Sequence, residues 1–152
     1  MKRVKYLVAI FMCLLLVGCG GGKKEVGTVD SFESAAVENK FMFLDNLGSY
    51  PDVDYIKEAK KAILDSTVVE MIVYKDEKNA KKVQEEQIEN FRTIKNTATT
   101  EHKDDGGNYY KFWMVSNGYY MVSSRIDNTL VFCKTQLENK EKVEAILKKM
   151  NY

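Results

Sequence analysis

The side chains in this sequence that could do chemistry other than packing are few: three cysteines, Cys13, Cys19 and Cys133, and one histidine, His102. His102 stands in the run Glu101-His102-Lys103-Asp104-Asp105, so an imidazole and three carboxylates lie close together in sequence. Such a set could offer nitrogen and oxygen to a metal, or supply a general acid and base. The run lacks the alternating ligands of a calcium loop and the second histidine expected of a zinc site. A general base also needs a nucleophile or second group aimed at the same point, and no neighbour in sequence provides one. A polar turn is the expectation here, with an enzyme or metal-dependent module using the His102 loop as the alternative. No GxSxG, HExxH, CxxC or glycine-rich phosphate loop occurs. No catalytic residue, metal ligand or cofactor is therefore assigned, and a noncatalytic role is expected.

The three thiols sit in different surroundings. Cys13 is inside an apolar run, where it behaves as a small hydrophobe. Cys133 lies in TLVFCK, which reads as a strand, and is expected to be buried. Cys19 is placed differently, where the apolar run ends and three glycines follow, in LLLVGCGGGKK. The chain begins MKRVK and continues YLVAIFMCLLLV from Tyr6 to Val17. Spanning a hydrocarbon core takes about 20 residues, so this block is too short for a permanent membrane helix. A basic start, a short apolar core and small residues behind it are the parts of a secretory signal peptide.

Leu16-Val17-Gly18-Cys19 resembles the lipobox of bacterial lipoproteins. The resemblance implies that residues 1–18 are a lipoprotein signal peptide, that the Cys19 thiol carries a diacylglyceryl group, and that cleavage makes Cys19 the mature amino terminus. It also implies a cell-membrane location, lipid-anchored and facing outside the cytoplasm. The whole chain is similar to small lipoproteins of Gram-positive bacteria with one α+β domain, although no motif beyond the leader carries that likeness.

Removing the 18 residues before Cys19 leaves 134, enough for one domain with a real core. The leader takes three of the positive charges, so the net charge falls from +1 to −2. A near-neutral chain gives no case for nucleic acid, which needs a concentrated basic surface. Nor is there a polybasic patch to assist membrane binding; the lipid on Cys19 would have to hold the protein, which two acyl chains can do. With Cys19 acylated, Cys133 has no partner for a disulfide. Residues 19–30 are glycine-rich at the start and read as a flexible tether, leaving 31–152 as the domain.

Within that domain Ser31 can cap a helix carrying Phe32, Ala35 and Ala36. KFMFLD, from Lys40, could continue that helix or form a short edge strand. DYIKEAKKAILD, from Asp54, has apolar residues at helical spacing and predicts a helix. Thr67 to Lys75 is rich in β-branched residues and predicts a strand. Helices are predicted from Asn79 to Lys95 and from Asn139 to Met150, and Asn96 to Asn108 reads as a long polar loop. Asn117-Gly118, between aromatic runs, is a type I′ hairpin signal, and Asp127-Asn128 can turn the chain again. Three meander strands are therefore predicted near Tyr109 to Ser116, Tyr119 to Ile126 and Thr129 to Lys134.

Two-residue turns fix the register, and with it the faces. Phe112, Met114, Tyr119, Met121, Leu130 and Phe132 should share one face, and Trp113, Val115, Tyr120, Val122, Val131 and Cys133 the other. These elements suggest an α+β fold: an antiparallel sheet of about four strands with amphipathic helices mainly on one face, ferredoxin-like or related. The second face would then be open. We expect it to bind a protein or peptide partner, with Trp113 and Tyr120 as the contact residues.

Overall fold

The computed structural model describes residues 22–51 and 53–152. Residues 1–18, expected as a signal peptide and including Cys13, lie with Cys19 outside the described residues. The chain runs α1 (Val29–Glu38), β1 (Met42–Asp45), β2 (Ile56–Leu64), β3 (Thr67–Tyr74), α2 (Glu77–Arg92), β4 (Thr100–Asp105), β5 (Tyr109–Ser116), β6 (Tyr119–Ile126), β7 (Thr129–Gln136) and α3 (Lys140–Lys149). All strand pairs are antiparallel, in the order β1-β2-β3-β7-β6-β5-β4.

The fold is α+β, but the sheet has seven strands rather than about four. Three segments account for the difference. KEAKKAIL, expected as a helix, is β2, held between β1 and β3 by its backbone ladders. TEHKDD, expected within a loop, is β4, paired residue for residue with β5. The ambiguous MFLD is β1, at the other edge. In all three, long-range pairing outweighs local propensity, as it commonly does for strands.

The meander occupies β5 to β7. Asn117 and Gly118 both have positive φ, 52° and 77°, which is the backbone a type I′ turn requires. Trp113 stands opposite Val122 and Val122 opposite Cys133, so the two faces divide as their alternation dictates.

Helices cover both faces, not mainly one. α1 and α3 pack on the Tyr120 face, where Phe32, Ala35, Val143, Ile146 and Leu147 meet Val69, Met71, Tyr120, Val122 and Val131. α2 crosses the opposite face, with Ala80 beside Ile72 and Leu130, and Ile88 and Phe91 beside Phe112, Met114 and Met121. A sheet apolar on both sides must be covered on both sides, and β6, the most buried strand, lies under helices on each.

The chain before α1 also belongs to the folded body. α1 begins at Val29, three residues before the expected start, because Thr28 rather than Ser31 supplies the cap, its Oγ1 accepting from the Ser31 amide at 3.1 Å. Lys24 donates its amide to Asn108 Oδ1 at 2.9 Å and accepts from Asn108 Nδ2 at 2.9 Å. Val26 packs against the core. Gly27 passes so close to the carboxy terminus that an added Cβ would meet Tyr152 Cε2 at 2.9 Å. Residues 24–28, expected as tether, form a strap across one end of the sheet.

Candidate binding surface

The face expected to be open is closed. Tyr120 has no solvent exposure, and its hydroxyl bonds to Glu144 of α3. Burial first, and that carboxylate second, push the Tyr120 phenol well above the usual tyrosine range. Trp113 is half-buried beneath a polar lid: the His102 ring stacks on it at 5.1 Å and 13°, and Lys111 Nζ lies 5.7 Å from its ring centroid while pairing with Glu144 at 3.0 Å. The structure thus puts Tyr120 inside the core and Trp113 under its neighbours. α3 covers Tyr120, while His102 and Lys111 cover Trp113.

His102 stands on the solvent-facing side of Trp113, in an edge strand. Strand alternation points Glu101 to the other face, where it pairs with Arg92 at 3.5 Å and with Lys95. Those cations hold the Glu101 carboxyl below the usual glutamate range, the Lys95 hydrogen bond most strongly. Residues adjacent in sequence are therefore separated by the sheet. Among the described residues, no three His, Cys, Asp or Glu side chains converge as a metal site would need. Cys133 is buried, and desolvation, then Glu70, push its thiol up to about 12, so it is neither a nucleophile nor a ready ligand.

Beside α2 a cleft of about 610 Å³ opens over β5 and β6, with Ile88, Arg92, Tyr110 and Arg125 in its lining. Its deep polar groups are committed to one another. Gln84 donates to the carbonyls of Tyr110 and Ser123 and accepts from Arg125 Nε at 3.2 Å. Arg125 Nη1 donates to Glu77 and to the Asp127 carbonyl, each at 3.0 Å. This network ties α2 to the sheet, and it contains no nucleophile.

The uncovered part of the sheet is at the far edge. Met42 and Leu44 of β1 project on the α2 face but beyond the reach of α2, with exposures of 58% and 36%. Met42 stands opposite Ile63 and Ile63 opposite Val68, so a half-exposed apolar strip runs inward from the edge. Phe43 points the other way and anchors the strand, its ring edge-on to Phe32 at 5.7 Å. The strip ends in a shallow polar hollow of about 310 Å³ whose lining includes Asn46, Tyr50, Lys61 and Glu70. There Glu70 Oε2 accepts from both Asn46 Nδ2 and the Tyr50 hydroxyl at 2.8 Å. Burial and the Glu70 carboxylate raise the Tyr50 phenol above its ordinary range. Among the described residues, no strand pairs with the outer side of β1. Met42-Phe43-Leu44 is a run of apolar residues without polar alternation, and so short a run does not separate a strand from a helix end.

No family model matches the chain, and no curated protein does. A crystal structure of a GTP binding regulator from Thermotoga maritima is similar over 81% of this chain and 87% of that one, at 19% identity and a TM-score of 0.45. A likeness that distant transfers no role.

Proposed function

We propose that this protein is a lipoprotein, acylated at Cys19 and displayed on the outer side of the cell membrane, whose domain binds an extended segment of a protein or peptide partner along β1 without catalysis. The anchor reading rests on Leu16-Val17-Gly18-Cys19 at the end of an apolar export core. The binding reading rests on one observation: among the described residues β1 is an unpaired edge, with Met42 and Leu44 exposed beside it. An added strand would gain main-chain hydrogen bonds from the edge and place alternate side chains beside Met42 and Leu44, at the outer end of the apolar strip.

Two measurements test it in membranes of cells making the full chain. Palmitate incorporation should be present and lost in Cys19→Ala; incorporation that survives the substitution overturns the anchor reading. A photo-crosslinking residue at position 42 should trap a partner that the same residue at position 102, on the other edge, does not. Equal trapping from both positions, or none from position 42, overturns the binding reading.

A further inference from the structure

The strap before α1 fixes how an anchor at Cys19 can present the domain. Lys24 is bound through both its amide and its carbonyl to Asn108, in the turn between β4 and β5. Asn108 also donates to Asp127 Oδ2 at 3.0 Å and accepts from the Asp127 amide at 2.8 Å, which joins the β6–β7 turn to the same end. Lys24 Nζ lies 4.3 Å from the Tyr109 ring, and Gly27 is packed under Tyr152. Four residues lie between Cys19 and Lys24, and the five steps reach at most roughly 18 Å even when fully extended. The turns at Asp65 and at Asn117-Gly118 are at the opposite end of the sheet, about 27 Å away along an eight-residue strand.

We propose that a lipid on Cys19 stands the domain upright on the bilayer, the β4–β5 and β6–β7 turns against the headgroups and the Asp65 and Asn117-Gly118 turns pointing outward. This rests on the lipid-anchor reading. Orientation comes from the strap and not from charge, since Asp104, Asp105 and Asp127 are at the membrane-side end. It also carries β1 clear of the headgroups, because β1 pairs with Lys60 to Ile63, the outward half of β2.

The orientation can be tested without relying on acylation in the cell. The chain beginning at Cys19, which contains every described residue, is coupled through that thiol to a maleimide lipid in phosphatidylcholine nanodiscs carrying a gadolinium-chelating headgroup. Cys133 is buried and does not compete. Paramagnetic broadening should be on the order of a hundredfold stronger at the Gly107 and Asn128 amides than at Ser66 and Gly118, given the strand-length separation and a steep dependence on distance. Asn108→Ala frees the strap, and the contrast should fall roughly tenfold as the linker becomes flexible. Should that variant fold poorly, Lys24→Pro, which removes the Lys24 amide donor and leaves the Asn108–Asp127 contact intact, should lower the contrast by less. Even broadening across the domain, or the strongest effect at Gly118, overturns the orientation. A nanodisc gradient together with no palmitate on Cys19 in cells would instead overturn the anchor reading on which its biological use depends.

Discussion

β1 and β4 are both edge strands of one sheet, and they differ in what they offer to another chain. β4 reads Thr-Glu-His-Lys-Asp-Asp, with charge on both faces, and such residues oppose pairing with a further strand. β1 reads Met-Phe-Leu-Asp, and its shortness is its main defence. The difference teaches that an edge can be closed by side chains while its backbone remains equally free. Both edges have open N–H and C=O groups; at β1 alone would a new strand find apolar side chains to cover.

The largest expected effect comes from removing the anchor of the open edge. Truncating a wholly buried Phe to Ala costs about 3–5 kcal/mol; Phe43 is half-buried against Phe32, so Phe43→Ala should cost about 2 kcal/mol. The urea midpoint should fall accordingly, and crosslinking from position 42 should vanish. On the charged edge, His102→Ala removes an exposed ring and should change stability by less than about 0.5 kcal/mol. A larger loss from His102→Ala would mean that β4 is the better-anchored edge.

Exchanging the character of the edges should have the next largest effect. Lys103→Val with Asp104→Thr gives β4 an apolar, β-prone surface, and sedimentation should then show concentration-dependent association absent from the unmodified protein. Met42→Lys with Leu44→Lys should abolish trapping at β1, read from a photo-crosslinker moved to position 47, while stability shifts by no more than about 0.5 kcal/mol at these exposed positions. Retained trapping would place the partner elsewhere.

These edges were also the parts least legible in the sequence. The meander could be read because each strand has its own apolar pattern and Asn117-Gly118 marks the turn between two of them. β4 has no buried side chain to generate a period, so nothing but its ladder with β5 makes it a strand. β2 misled for the opposite reason: Ala59 and Ala62 are both fully buried but on opposite faces, and their spacing of three imitates a helical stripe. Once β2 is a strand, the sheet is wider, α1 and α3 are both needed on the Tyr120 face, and the open surface moves from Trp113 to Met42. The site was missed because the error was one of sheet width, which local pattern does not report.

The smallest effect separates the edges by pH. Glu101 is held below the usual glutamate range by Lys95 first and Arg92 beside it, so it ties the start of β4 to residues at and beyond the end of α2. Asp45, on β1, is also lowered, chiefly by the Leu47 amide within its own turn and less by Lys60 of β2 at 3.5 Å, a single solvent-exposed pair where Glu101 has two cations and is more enclosed. A carboxyl lowered by folding contributes stability that is present above its unfolded value, about 4.3 for Glu, and is lost as pH falls through the folded one. Acidification from pH 6 toward 3 should therefore loosen β4 before β1. Amide exchange, corrected for its intrinsic pH dependence, should rise at Thr100 to Lys103 more than at Met42 to Asp45. Glu101→Gln should remove that extra rise, because its neutral amide has no proton to gain. If β1 loosens first, the charged edge is held by its backbone ladder alone, and its charges serve only to keep other strands away.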